Sequence, residues 1–367
     1  MQQDACGSWK GHRYDAGRIP AARKRAVRAR TGDMVAHATT FRYGRGELAG
    51  MAGAMSPSRP GRAIVCHMTD DTEIELAAGA WRAVVSSHGA SLRGLSLAGE
   101  PVVTGYRGAA NKQGGQGDVL IPFPGRVAGG RYRWDGIDHQ LPITDKDGPN
   151  AIHGFVRKVD WNIGLQTDAA VSFTLRFTGA QGYPFPLDIR IDYRLDATGL
   201  TVDSAITNSG RHDAPVAMGF HPYFTVGSAL VDTDALTLPF RDVLEFENLI
   251  PTGRVLSVVE ASLDFRSTRL IGDARFNHCF MSPIREADGR ARVRLAGGAR
   301  VCTVWMDNAF DYCVVYTGDA LPDGIARTSI AIEPMTCGSD ALNHPGWGLQ
   351  RLAAGATLAA HWGVTSE

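Results

Sequence analysis

The residues best suited to chemistry lie in four separate segments. The first, Gly117-Asp118-Val119-Leu120-Ile121-Pro122-Phe123-Pro124-Gly125-Arg126-Val127, sets Arg126 in a backbone pinned by proline and glycine. A guanidinium fixed there offers a rigid fork of donors to hydroxyls or a carboxylate. The plainer alternative is a surface arginine in a proline-rich loop. The second, Asn150-Ala151-Ile152-His153-Gly154-Phe155, holds His153, and a lone histidine beside glycine is ordinarily structural or merely exposed. In the third, Met218-Gly219-Phe220-His221-Pro222-Tyr223-Phe224, aromatics flank His221 and Pro222 locks it. With an unperturbed pKa of about 6.5, such a ring donates or accepts a proton near neutrality; otherwise it is a core histidine with one satisfied nitrogen. The fourth runs Ile330-Ala331-Ile332-Glu333-Pro334-Met335-Thr336-Cys337 and on to Asp340-Ala341-Leu342-Asn343. Ile330 and Ile332 point to one face of a strand, and Glu333 follows at its end, before a proline. A carboxylate there is costly to bury unless it is paired or put to work.

Together these residues make a general acid and a general base on opposite sides of a small polar substrate. Aromatic faces for C–H surfaces, with arginine, asparagine and histidine for hydroxyls, suit a sugar. A metal site built from His153, His221 and Glu333 as a His₂-carboxylate set is the weaker reading. None of their spacings is that of a local metal motif.

Strands and turns must position this kit. From about residue 70, Val171, Phe173, Leu175 and Phe177 alternate with Ser172, Thr174 and Arg176, a half-buried strand of period two. Leu187, Ile189, Ile191, Tyr193 and Leu195 repeat the pattern. Asp196-Ala197-Thr198-Gly199 is a turn, and Leu200, Val202 and Ile206 resume the alternation, which makes a meander. Further strands are predicted at 81–86, 92–97, 293–295, 301–305, 311–316 and 328–333, with a hairpin turn at Gly297-Gly298. Amphipathic helical windows are almost absent. Short strands about ten residues apart predict a large antiparallel sandwich and not a βαβ fold.

The chain has 367 residues, 38 basic and 38 acidic, and 44% are hydrophobic, ample for a sizeable core. No apolar run of about 18 residues marks a membrane helix, and balanced charge argues against a dedicated nucleic-acid binder. Six scattered cysteines without a CxxC pair fit a reduced, cytoplasmic chain. No GxGxxG in a strand-to-helix setting, P-loop, GxSxG or HExxH occurs. The charge is unevenly spread: residues 1–67 carry 12 Lys/Arg and 4 Asp/Glu, with Arg23-Lys24-Arg25 among them, so 26 and 34 remain in 68–367. The first 67 residues lack apolar periodicity and are expected to be disordered. They read as a targeting segment, a nucleic-acid or membrane arm, or, preferably, sequence upstream of a start at Met68. Residues 68–367 form the working domain.

The ordered set Pro122-Phe123-Pro124-Gly125-Arg126, Ile152-His153-Gly154-Phe155, Gly219-Phe220-His221-Pro222-Tyr223-Phe224 and Ile332-Glu333-Pro334-Met335-Thr336 resembles the aldose 1-epimerase (galactose mutarotase) family, over roughly residues 73–363. The resemblance implies an all-β, antiparallel β-supersandwich that interconverts the α and β anomers of a free aldohexose, without a cofactor. It makes Glu333 the general base at the anomeric hydroxyl and His221 the general acid at the ring oxygen. His153 assists at the ring oxygen or holds the sugar, and Arg126 contacts hydroxyls. In Arg275-Phe276-Asn277-His278-Cys279-Phe280, Asn277 stands where the family places an aspartate that binds a sugar hydroxyl. The exchange keeps an acceptor and loses a charge, so altered sugar preference or weaker binding is expected, and Asp307 is a nearby carboxylate or a turn residue. The alternatives are a hexose-6-phosphate 1-epimerase, for which Arg126 and Arg157 would supply cations, and a non-catalytic sugar-binding protein. The expected partner is a small-molecule sugar, with no nucleic acid or membrane, and the chain is expected to be a monomer or weak homodimer.

Overall fold

A computed structural model describes residues 71–298 and 300–367. The readings of residues 1–67, and the boundary at 68, fall outside the described residues. Within them there is no α-helix, only strands and four short 3₁₀ turns.

The alternating segments become Ala170–Phe177, Leu187–Leu195 and Gly199–Asn208, paired antiparallel in sequence as the meander requires. Their apolar set turns inward, with Ile189, Ile191, Tyr193, Val202 and Ile206 buried, while Arg190 and Arg194 face out. The Asp196 carboxylate accepts the amides of Thr198 at 2.6 Å and Gly199 at 3.3 Å, closing the turn. These strands belong to a nine-stranded sheet that continues through Thr357–Ser366, Arg300–Met306 and Ala291–Gly297.

The second sheet has twelve strands. Its main path runs Glu73–Ala78, Trp81–Ser86, Ser91–Leu97, Glu100–Thr104, Tyr223–Phe224, Ile330–Met335, Tyr312–Tyr316, Asn277–Pro283, Phe240–Glu247 and Ile250–Ser257. One apolar cluster joins the sheets, with Val315, Ile330 and Ile332 on this side and Val202, Val304 and Trp362 on the other. Leu120, Leu244, Cys279, Tyr312 and Met335 make a smaller cluster on the opposite face of the twelve-stranded sheet. Ile330–Met335 is covered on both faces, and all six of its residues are buried.

The strand does not stop at Glu333 as its proline suggested; it runs on through Pro334 to Met335. The amides of Ile332 and Thr336, on the same strand side as the Pro334 nitrogen, donate to the carbonyls of Pro222 at 3.3 Å and Met218 at 2.9 Å. Between those contacts the neighbouring chain is broken into Gly219–Phe220 and Tyr223–Phe224. Pro334 therefore sits opposite an interruption, where its missing N–H forfeits no ladder bond. Glu333 is thus placed mid-strand beside the gap that holds His221.

Gly154 anchors the other histidine. It lies at φ +65° in a parallel bridge to Ile121, and a Cβ there would meet the Ile121 carbonyl oxygen at 1.9 Å. Gly136, at φ +80°, has open space around it. Gly154→Ala is expected to lower the unfolding free energy by more than about 2 kcal/mol, and Gly136→Ala by only about 1 kcal/mol of backbone strain. Urea denaturation of the two variants checks this; equal losses would mean the chain at 153–154 yields freely.

Candidate active site

His221 is fixed from both sides of its backbone. Its amide donates to the Asp118 carbonyl at 3.0 Å, and its own carbonyl accepts the Gly117 amide at 2.9 Å. Its ring stacks on Tyr223 with centroids 5.2 Å apart and lies against Gly115, where a Cβ would come within 3.1 Å of Cδ2. The Tyr223 hydroxyl is tied to the Gly114 carbonyl at 2.9 Å. These contacts bring His221 Nε2 to 3.4 Å from Glu333 Oε1, and both side chains are almost wholly buried. Among the described residues, His221 Nδ1 and Glu333 Oε2 are buried with no hydrogen-bond partner. Two such orphaned atoms on adjoining groups in a packed interior call for an explanation.

His153 meets His221 edge to face, with centroids 5.6 Å apart. It adopts φ +61°, rare for a residue with a side chain and a mark of functional sites. Its Nδ1 accepts the Gly125 amide at 3.2 Å and its amide donates to the Gly125 carbonyl at 2.9 Å. With Nδ1 accepting that bond, a neutral His153 ring carries its proton on Nε2. Arg126 completes the cluster. Its amide donates to Ser339 Oγ at 3.1 Å and its carbonyl accepts the Asp340 amide at 2.8 Å, which ties it to the chain just beyond Glu333.

Asn277 stands apart from these four. It lies at the exposed start of Asn277–Pro283, opposite Tyr316, which in turn pairs with Ala331. Ladder partners and alternate residues share a face, so Asn277, Tyr316 and Ala331 lie on the same face as Glu333, farther along the sheet. Asp307 is a turn residue: it accepts the amides of Ala309 at 3.0 Å and His361 at 2.9 Å, after a strand of the other sheet.

Two neighbouring carboxylates are not evident from the sequence. Asp118, buried completely, holds Lys112 at 2.5 Å and Arg157 at 3.2 Å beside His221. Asp145, equally hidden, grips Arg126 at 2.7 Å. In sequence Asp118 reads as part of a glycine-rich loop, and Asp145 lies in Thr144-Asp145-Lys146-Asp147-Gly148, which reads as an ordinary turn. The two arginines a phosphorylated sugar would want, Arg126 and Arg157, are therefore both engaged by buried carboxylates. Among the described residues no three His, Cys, Asp or Glu side chains are grouped as metal ligands would be.

Burial sets the protonation. It pushes the Glu333 carboxyl well above its ordinary value, opposed by the charge of Arg126 and helped by that of Asp118. Burial also pushes His221 down to about 3, with the Arg157 and Lys112 charges adding to it. His153 is likewise held well below its usual range, by burial first and then by His221, Arg157 and Arg126. The dry site thus favours a neutral carboxyl beside a neutral imidazole.

An all-β supersandwich that buries a carboxylic acid against an imidazole defines a proton-transfer site for a small polar molecule. Comparison with known proteins agrees: residues 72–365 match the family described as Aldose 1-epimerase, and the chain belongs to that family of isomerases. It is 31% identical over 278 residues to the uncharacterized protein YihR of Escherichia coli (strain K12), covering 76% of this chain and 87% of that one. It is 28% identical over 270 residues to the galactose mutarotase of Homo sapiens, covering 66% and 77%. The fold is shared with the GalM/aldose epimerase homologue from C. elegans (TM-score 0.72, 18% identity, 81% and 99% covered). It is also shared with galactose 1-epimerase from Lactobacillus acidophilus NCFM (TM-score 0.69, 20% identity, 80% and 94% covered).

The raised carboxyl has a consequence for stability. Glu333 binds its proton more tightly folded than unfolded, so its contribution is fully present below the unfolded value of 4.5 and is lost as pH rises toward the folded one. Glutamine has the same shape and does not titrate. Glu333→Gln is expected to be more stable than the parent at neutral pH. The gap should widen by up to about 1.4 kcal/mol per pH unit above 4.5. Unfolding in urea at several pH values measures the gap, and a constant difference would place the carboxyl in contact with water.

Proposed function

We propose that the protein interconverts the anomers of a free aldohexose by opening and reclosing its ring, with Glu333 and His221 as the proton-transfer pair. The observation that carries this is the 3.4 Å approach of His221 Nε2 to Glu333 Oε1, with an orphaned polar atom on each side chain. The anomeric hydroxyl and the ring oxygen hang on one carbon, so two groups this close can each address one of them.

Opening needs one proton off the anomeric hydroxyl and one on to the ring oxygen. The sugar meets the pair as carboxylate and imidazolium. Glu333 takes the hydroxyl proton, His221 gives its proton to the ring oxygen, and the C1–O5 bond breaks as the C1–O1 bond becomes a carbonyl. The pair is then carboxylic acid and neutral imidazole, the form that burial favours, and the enzyme's proton count is unchanged. Rotation about C1–C2 exposes the other face of the aldehyde, and the same transfers run backwards. The charged pair must form from the neutral one by proton transfer from Glu333 to His221 when the sugar binds, and sugar hydroxyls that donate to the carboxylate in the dry site favour it. His153 Nε2–H donates to a sugar oxygen, and Arg126 binds hydroxyls at the opposite end.

Polarimetric decay of freshly dissolved α-D-glucose and α-D-galactose tests the reading. The parent chain should accelerate at least one decay. Glu333→Gln and His221→Asn should each lower kcat by about 10²–10⁴-fold while remaining folded. Sugar binding without acceleration by the folded parent would make the scaffold a binding protein.

A further inference from the structure

Arg126 is held by more than its backbone. The segment from Leu141 to Asn150 lays the Asp145 carboxylate along one edge of its guanidinium, with Oδ2 at 2.7 Å from Nε and Oδ1 at 3.5 Å from Nη2. Oδ1 also accepts the Asp147 amide at 3.1 Å, and Oδ2 accepts the Asn150 side-chain amide at 3.3 Å. The Asp145 side chain is 1% exposed against 17% for Arg126. Both carboxylate oxygens are therefore occupied inside the protein, and Asp145 cannot itself serve a sugar.

A guanidinium offers two edges for paired hydrogen bonds, one through Nε and one through the two terminal nitrogens. Asp145 takes the first. On the second, the Asp147 carboxylate stands 3.9 Å from Nη2 as a half-exposed ion pair, and among the described residues no acceptor engages Nη1, which leaves that nitrogen to a ligand. Arg126 is thus clamped at three points: its amide by Ser339, its carbonyl by Asp340 and its side chain by Asp145. Two of these lie in the chain that follows Glu333, which couples the arginine's position to that of the carboxyl.

We propose that Asp145 is the positioning residue that turns the open Nη1 of Arg126 toward the substrate and so sets the affinity for the sugar hydroxyls. This rests on the reading of Arg126 as a sugar-binding residue. A positioned donor that binds ground and transition states alike controls KM and leaves kcat nearly alone.

The test is a double-mutant cycle on the full chain, with Asp145→Asn, Arg126→Gln and both together, read by polarimetry and by NMR titration with D-glucose and D-galactose. Asp145→Asn should raise KM and Kd about 10-fold or more, with kcat changed by less than about 3-fold. In the Arg126→Gln background it should change neither, because its effect passes through that arginine. A wild-type Kd in Asp145→Asn, an undiminished effect without Arg126, or a loss that merely follows a lower melting temperature would overturn the proposal. Binding without turnover in the parent would sink the catalytic reading alone, since the titration still reports on Asp145. A parent that neither binds nor converts either sugar would overturn both.

Discussion

The structure turns on one costly act, the burial of a carboxyl in the middle of a central strand. A solvent-facing glutamate is a carboxylate at neutral pH and a poor partner for an imidazole that is itself dry. Burial raises Glu333 and lowers His221, so that moving one proton from the carboxyl to the imidazole separates the neutral pair from the charged one. Such a pair can surrender a proton at one oxygen and recover it at another without net exchange with water. The sandwich supplies the dryness, because a strand covered on both faces can hide a group that a surface loop would leave wet.

The backbone irregularities around the pair follow from that requirement. A regular neighbour strand would fill the space beside Glu333 with ladder bonds and leave no room for a second catalytic ring. Splitting it into Gly219–Phe220 and Tyr223–Phe224 makes room for His221. Pro334 fits because the amide it lacks has nothing to meet there. Gly115 lets the loop lie against the imidazole, and the positive φ values of His153 and Gly154 aim the second histidine at the first. Each feature weakens a sheet considered alone and serves the assembled site.

The strand framework was legible because period-two alternation is a local consequence of a half-buried sheet: 171–177, 187–195 and 200–206 needed only their own residues to be read. The candidate residues were visible for a different reason. His221 beside Pro222 and Glu333 at the end of an apolar run are locally uneconomical choices, and such choices point to function. The extent of the Glu333 strand was misread because proline is judged by its own backbone. Whether its missing amide matters depends on a partner more than a hundred residues away. Asp118 and Asp145 were illegible on the same ground: a carboxylate in a glycine- and proline-rich loop looks like turn chemistry until the fold lays a cation against it.

The same geometry bears on Asn277, the departure from the family's expected aspartate. Had the asparagine stood against Glu333, its missing charge would have altered the protonation of the pair, since an unscreened neighbouring anion raises a buried carboxyl further. It stands instead at the exposed start of its strand, beyond Tyr316 and Ala331 on the shared face, where water screens whatever charge is present. Burial is the main cause that raises the Glu333 carboxyl, with Arg126 and Asp118 as the near charges. On the proposed reading, the substitution would act on which hydroxyl the open side of the site holds and would leave the proton transfer at its closed end intact. That reading divides recognition and chemistry along one sheet face, so that the first could change without disturbing the second.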